Sequence, residues 1–355
     1  MKKYQRLAQQ IISQIELGVW LPGDKLPSLR EQVASSGMSF MTVGHAYQML
    51  ESQGRIVARP QSGYYVAARP TTHQSAPPAQ VMRDEVVDIN TYIFDVLQAS
   101  RDPSVVPFAS AFPDPRLFPL QQLNRSLANV SKTATAMSVI ENLPPGNDEL
   151  RHAIARRYAQ QGMTLSPDEI VITAGALEAL NLSLQAVTEP GDWVIVENPC
   201  FYGALQALER LKLKALSVAT DVREGIDLSA LEQALNDYPV KACWLMTNSQ
   251  NPLGFTLSAE KKAQVVALLT RHNVTLIEDD VYSELYFGRE KPLPAKAWDK
   301  QDMTLHCSSF SKCLVAGFRI GWVAAGKHAR RIQQLQLMST LSTSSPMQLA
   351  LVDYL

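Results

Sequence analysis

The chain has 355 residues, 46% hydrophobic and 19% charged, with a formal net charge of −1. That length allows two domains with a sizeable core, and so small a net charge excludes a chain that gathers nucleic acid through its overall field. The N-terminus lacks an apolar signal core and no apolar run is long enough to span a bilayer. The six histidines have no metal-ligand spacing, and Cys200, Cys243, Cys307 and Cys313 form no C-x-x-C pair. A cytoplasmic protein with reduced thiols and neither a membrane nor a metal site is expected.

Residues 1–67 hold seven Lys or Arg against four Asp or Glu. Leu7, Ile11, Ile12 and Ile15 recur at helical spacing, which predicts a helix over Tyr4–Leu17 ended by Gly18. Pro22-Gly23-Asp24 reads as a turn, and Ser28 as the cap of a short second helix broken by Gly37. Ser39 caps a third helix over Phe40–Gln53, with Val43, Ala46, Tyr47 and Leu50 on one face. After Gly54, R-I-V-A-R-P-Q-S-G-Y-Y-V-A reads as two short strands around a Pro-Gln-Ser-Gly turn. Helices followed by a hairpin make a winged helix-turn-helix, a unit that lays its third helix in the major groove of double-stranded DNA.

The string from Pro22 to Gly54, P-G-D-K-L-P-S-L-R-E-Q-V-A-S-S-G-M-S-F-M-T-V, continuing through A-Y-Q-M-L-E-S-Q-G, is similar to the GntR-type DNA-binding domain almost end to end. The resemblance implies DNA roles for Arg30, Ser39, Thr42 and the wing Gly63. Arg30 and the two hydroxyls suit phosphate contacts, while His45 and Gln48 could reach base edges. Phe40 departs from the pattern, since many relatives place an arginine there; Phe40 or Met41 could instead touch thymine methyls.

Residues 68–86 are rich in Pro, Ala, Gln, Ser and Thr without an apolar period, which predicts a flexible linker. Residues 87–355 then form the second domain. Strand-length apolar runs cover Glu169–Thr173, Trp193–Glu197, Lys214–Ala219, Ala242–Thr247, Val274–Asp279, Thr304–Ser308 and Ile320–Ala325. Helical patterns fill most gaps, such as Glu178–Val187, Ala204–Leu211, Leu228–Leu235 and Ala259–Arg271. Repeated βα units predict an α/β fold around a buried, mostly parallel, seven-stranded sheet, with ligands beyond the strand carboxyl ends.

The candidate residues stand at those ends. Strand, Gly175 and helix follow one another in I-V-I-T-A-G-A-L-E, a junction whose free amides suit a phosphate. Phe201 and Tyr202 follow the next strand, and Asn251 lies in N-S-Q-N-P-L-G. Asp279 ends a buried strand three residues before Tyr282, with Asp280 read as a supporting or surface charge. In T-L-H-C-S-S-F-S-K-C-L-V-A-G-F-R-I-G, Lys312 follows Ser309 and Ser311 and precedes Arg319 by seven. Hydroxyls and a guanidinium suit a phosphate ester, and a lysine in a partly apolar pocket can be neutral and attack an aldehyde. An aldehyde that carries a phosphate is pyridoxal 5'-phosphate (PLP), held as a lysine Schiff base.

This lysine string resembles that of fold-type I aminotransferases, S-x-S-K-x-x-x-P-G-[LF]-R-x-G, with Ala316 where many members have proline. Together with the four earlier motifs the resemblance covers roughly residues 105–355. It implies a phosphate cup from Gly175, Ala176 and Leu177 with Ser309, Ser311 and Arg319, and ring stacking by Phe201 with Tyr202 as the alternative. It also implies donation to the cofactor's O3′ by Asn251 and Tyr282, an Asp279 contact to the pyridine nitrogen, and Lys312 as the catalytic amine. Near Glu141, many relatives carry a tyrosine that reaches the partner subunit's phosphate, and none is placed here. Relatives also continue past the position of Leu355 with a small subdomain that carries the arginine for a substrate carboxylate.

A GntR-type head joined to such a body resembles the MocR subfamily of bacterial transcription regulators. The resemblance implies a PLP-binding regulator, generally a homodimer, whose effector is PLP or a small amine or amino acid. The alternatives are an active PLP-dependent aminotransferase with a DNA-binding head, and a DNA-binding module whose body only dimerises.

Overall fold

The computed structural model describes residues 2–60, 62–67, 90–99, 102, 104, 106, 108, 111–133, 135 and 143–355. It divides into two compact units, Met1–Ala76 and Pro77–Leu355. The expected linker, residues 68–86, and Glu141 lie outside the described residues.

In the first unit α1 (Lys3–Glu16) buries Leu7, Ala8, Ile11 and Ile12. The second helix, α2 (Leu29–Ser36), starts at a reciprocal cap in which Ser28 Oγ accepts from the Glu31 amide and Glu31 accepts from the Ser28 amide at 2.7 Å. Gly37 ends it at φ 65°, the left-handed region a side chain disfavours. In α3 (Phe40–Ser52), Val43, Ala46, Tyr47 and Leu50 are buried, and the Tyr47 hydroxyl donates to Pro27 O at 2.8 Å. The wing pairs β1 (Ile56–Arg59) antiparallel to β2 (Gly63–Val66), from Ile56 opposite Val66 to Arg59 opposite Gly63.

The second unit opens with α4 (Asn90–Ala99), α5 (Leu120–Thr133) and α6 (Asp148–Gln160). Its alternating part runs β3 (Ile170–Thr173), α7 (Ala176–Val187), β4 (Trp193–Asn198), α8 (Tyr202–Arg210), β5 (Lys214–Asp221), β6 (Gly225–Ile226) and α9 (Leu228–Asp237). It continues with β7 (Val240–Leu245), α10 (Ala259–Arg271), β8 (Thr275–Asp279), β9 (Thr304–Ser309), β10 (Gly321–Ala324), α11 (Ala329–Ser339) and α12 (Ser345–Tyr354).

Among the described residues the sheet order is β3-β10-β9-β8-β7-β4-β5-β6. The β9-β8-β7-β4-β5 stretch is parallel, and β10 is antiparallel to both β3 and β9. The seven expected runs are all present as strands. The eighth strand is Gly225–Ile226, an antiparallel edge pair with β5 too short to leave a periodicity. Strand residues alternate between the two faces: Val194 and Val196 pack with α7 and α8, while Ile195 packs with α9 and α10. A third apolar cluster joins β3 and β10 to α6 through Leu150, Ile154 and Tyr158. Each buried Val, Leu or Ile is worth about 1.5–3 kcal/mol of transfer free energy, so these layers hold the strand ends, and hence the site, in fixed places.

Candidate functional site

Ten of the eleven residues expected around a cofactor line one cavity of about 480 Å³ at the carboxyl ends of the parallel strands. The eleventh, Gly175, stands against Arg319: a Cβ there would lie 2.5 Å from Arg319 Nη2. Gly175 caps α7 at φ 91° and ψ 170°, so the first amides of the helix, Ala176 and Leu177 among them, have no partner within the helix.

The Arg319 guanidinium is held beside that turn. Nη2 donates to Ala174 O at 3.1 Å and Nη1 to Ser311 Oγ at 3.5 Å. Its own backbone sits at φ 54°, in the left-handed region, after a short 3-10 turn over Ala316–Phe318. A non-glycine residue there costs on the order of 1 kcal/mol or more and persists only when its surroundings enforce it. Ser309 Oγ accepts from the Ser311 amide at 3.3 Å, which holds the Ser309 hydroxyl beside the backbone of Ser311. Helix amides, two hydroxyls and a guanidinium together suit a dianionic phosphate.

Lys312 lies in the connection between the antiparallel neighbours β9 and β10. Its Nζ donates to Ala111 O at 3.0 Å and stands 3.3 Å from the centroid of the Phe112 ring. Burial lowers its pKa to about 8; the Asp279 charge opposes that shift and Arg319 adds to it. Asp279 is 1% exposed, and its Oδ1 has no hydrogen-bond partner among the described residues. Burial and the neighbouring Asp280 raise its carboxyl to about 7. A buried carboxyl that lines the cavity, with one oxygen left without a hydrogen-bond partner, suits a protonated ring nitrogen. Burial and the Asp279 charge push the Tyr282 hydroxyl up to about 12, while a hydrogen bond with Asn251 works the other way. Phe201 and Tyr202 both line the cavity, their ring centroids 4.7 Å apart. A guanidinium beside a helix N-terminus, an amine, a buried carboxyl and two aromatic rings are thus gathered in one cavity, and the residues present fit PLP.

Two features were missed from sequence. Ala111 and Phe112 roof Lys312, and their segment carries only a Pro-Asp-Pro turn as a local signal. Of the two readings of Asp280, a supporting or a surface charge, its burial favours the first, and the buried chain it belongs to is the second feature. Asp280 ends a hydrogen-bonded chain in which Trp322 Nε1 donates to the Tyr158 hydroxyl at 2.9 Å, Tyr158 meets His306 Nδ1 at 2.5 Å, and His306 Nε2 meets Asp280 Oδ2 at 2.9 Å. The tautomer is assigned from this network: Tyr158 accepts from Trp322, which leaves its proton for Nδ1 and puts the imidazole proton on Nε2, toward Asp280. On the other side Asn248 Nδ2 donates to Asp280 Oδ1 at 2.9 Å, and the buried Lys262 Nζ donates to Asn248 Oδ1 at 2.6 Å. Among the described residues, no cluster of His, Cys, Asp or Glu could hold a metal and no helix is long and apolar enough to cross a membrane.

In the first unit Arg30 is exposed on α2. Ser39 Oγ is used locally, accepting from the Thr42 amide at 3.3 Å and lying 2.9 Å from Thr42 Oγ1. The His45 ring packs edge-on against Tyr4 at 5.9 Å, and Gly63 opens β2 at φ 113°.

The aminotransferase class I and II family profile matches residues 119–355, and the profile of bacterial regulatory proteins of the gntR family matches residues 3–66. The chain belongs to the aminotransferase class I and II family and carries a gntR-family head. It is 84% identical over its whole length to the HTH-type transcriptional regulator YdcR of Escherichia coli K12, of which it covers 76%. To YjiR of the same organism, also named an HTH-type transcriptional regulator, it is 38% identical over 95% of the chain and 72% of that protein. Among solved structures, the multiple substrate aminotransferase of Thermococcus profundus aligns at TM-score 0.68 with 26% identity, over 74% of this chain and 66% of that one. An archaeal alanine:glyoxylate aminotransferase aligns at TM-score 0.69 with 26% identity, over 75% and 71%. The chain therefore spans about two thirds to three quarters of the length of these relatives. The gntR head and the aminotransferase class I and II body together have the MocR-like architecture.

Proposed function

We propose that this protein is a DNA-binding transcription regulator whose aminotransferase-like unit binds PLP and responds to PLP, or to a small amine or amino acid, through Lys312. The observation that carries the reading is one cavity that holds a half-buried amine with pKa near 8, a buried carboxyl with an unpaired oxygen and a guanidinium against a helix N-terminus. The chain's other unit has the fold of a DNA reader. When bound, PLP supplies an electrophilic aldehyde and a ring that draws electrons.

Each side chain has a task in this reading. Arg319, Ser309, Ser311 and the amides of Ala176 and Leu177 hold the phosphate. Asp279 keeps a proton on the ring nitrogen, and Asn251 and Tyr282 orient the phenolic oxygen. Phe201, with Tyr202 beside it, covers the ring face. The Lys312 amine, neutral in part at pH 7, holds the group covalently and yields its place to a ligand amine. Arg30, Thr42, Ser39, His45 and Gly63 face DNA. A ligand can alter DNA binding only if it favours one of two states of the protein. The protein acts as a cytoplasmic homodimer.

The test is an absorption titration with PLP, followed by borohydride reduction and mass mapping. A band near the visible edge with the label on Lys312 is expected, and Lys312→Ala abolishes both. DNA affinity measured with and without PLP and amines then reads regulation. No band and no label would leave a DNA-binding module with a dimerising body.

A second reading, active transamination, is favoured by the presence of Lys312, Asp279, Tyr282 and Asn251 in one cavity. Conversion of bound PLP to its amine form on adding amino acids alone would establish it.

A further inference from the structure

The exposed face of α3 bears on which base pairs the head reads. Met41, Gly44, His45 and Gln48 fall on one stripe of the helix, opposite the buried Val43, Ala46, Tyr47 and Leu50. Phe40 borders the stripe and is 54% exposed, while Met41 is 68% exposed. Two adjacent large apolar side chains held in water at the start of a helix call for a partner.

Gly44 is the second observation. It lies mid-helix, and a Cβ added there would meet nothing within 4 Å. A mid-helix glycine costs roughly 0.5–1 kcal/mol relative to alanine, and no packing within the unit demands it. Its effect is a notch between Met41 and Gln48 that lets another surface come close.

Charge is the third. From Ser39 to Gln53 there is no lysine or arginine. The head's cations, Lys25, Arg30, Arg55 and Arg59 among them, sit on other elements, which suits them to phosphates rather than to bases under α3. Glu51, the acid of this helix, is occupied by the Ala58 amide at 3.2 Å. The arginine–guanine pair, the commonest specific contact in the major groove, is therefore not available from α3, whereas glutamine matches adenine and apolar groups match the thymine methyl.

Resting on the DNA-binding reading above, we infer that α3 reads A·T base pairs: Met41 and Phe40 pack on thymine methyls, Gly44 admits the helix to the groove floor, and Gln48 pairs with adenine.

The experiment is selection of sites by the full chain from randomised duplex DNA at fixed salt. The enriched site is then remade with uracil in place of each thymine. A·T pairs are expected in the core protected by α3. Loss of a contacted thymine methyl should weaken binding about fourfold, the worth of one buried methyl group. Met41→Ala should erase that loss at its own position, and Gln48→Ala should relax preference at one adenine. Both side chains are exposed, so an unchanged thermal melt is expected to confirm that the variants fold.

G·C pairs throughout the protected core, or indifference to uracil at every thymine, would overturn the inference. Salt-dependent binding with no enriched sequence would overturn it too, yet leave the DNA reading standing. No binding to any duplex at low salt would remove the DNA reading itself.

Discussion

Gly175 and Arg319 occupy adjoining space so closely that a single methyl group on the glycine would stand 2.5 Å from the guanidinium Nη2 and 2.9 Å from Cζ. The glycine also has φ 91°, where an L side chain is strained whatever the room. Gly175→Ala is expected to push Arg319 off Ala174 O and weaken PLP binding by tenfold or more, on the order of a lost charged hydrogen bond. The spectroscopic titration measures it. An unchanged affinity with an intact fold would separate Arg319 from the phosphate site.

Asp279 carries a pH signature. Its carboxyl stands at about 7, against 3.8 for an ordinary aspartate. Between those values the folded chain keeps a proton that the unfolded chain has lost. Stability without cofactor is therefore fully present below about pH 4 and falls as pH rises through 7. The loss amounts to about 4 kcal/mol if the whole shift is expressed. Asp279→Asn should make this dependence shallower, leaving the part due to the buried Glu197, whose carboxyl burial raises to about 8, and should raise stability at pH 8 while it lowers PLP affinity. Urea melts at pH 5 and pH 8 decide it; a variant with the same pH slope as the parent would assign the slope to another group.

Tyr158 is the middle of the buried chain from Trp322 to Asp280. Tyr158→Phe leaves Trp322 Nε1 without its acceptor and His306 Nδ1 without its partner. A cost of about 1–3 kcal/mol is expected for each buried polar group left unsatisfied. Thermal melts measure it. A cost below about 0.5 kcal/mol would mean that water replaces the hydroxyl.

Arg30 tests the head separately. Arg30→Ala is expected to weaken DNA binding about equally for all sequences and to reduce the slope of log affinity against log salt by about one. A loss confined to one base position would instead make Arg30 a base reader.

Much of the sheet was legible because its strands are buried on both faces and read as unbroken apolar runs bounded by Gly, Pro or Asn. The cofactor-facing residues were legible because each stands within a few residues of a strand end, inside a short string of fixed spacing. Tyr158, His306 and Trp322 were not. They come from α6, β9 and β10, and only the sheet order brings them together. The parallel register sets His306 opposite Glu278, beside Asp280, a placement no local pattern encodes. Phe112 was likewise invisible, since it reaches Lys312 across 200 residues of chain.

The antiparallel strand β10 has a consequence for how the pocket can change. Gly321 pairs on one side with Ser309 and on the other with Thr173, and a Cβ on it would lie 2.5 Å from the Gly175 carbonyl carbon. The lysine-bearing loop and the α7 turn are therefore fastened to the same residue. A shift of one drags the other, so the backbone of the loop and the α7 turn move together in any rearrangement that preserves the sheet. Inserting or deleting one residue in β10 would turn its side chains to the opposite face and break both attachments at once. The backbones of the two halves of the site are tied together by a strand that contributes no ligand of its own.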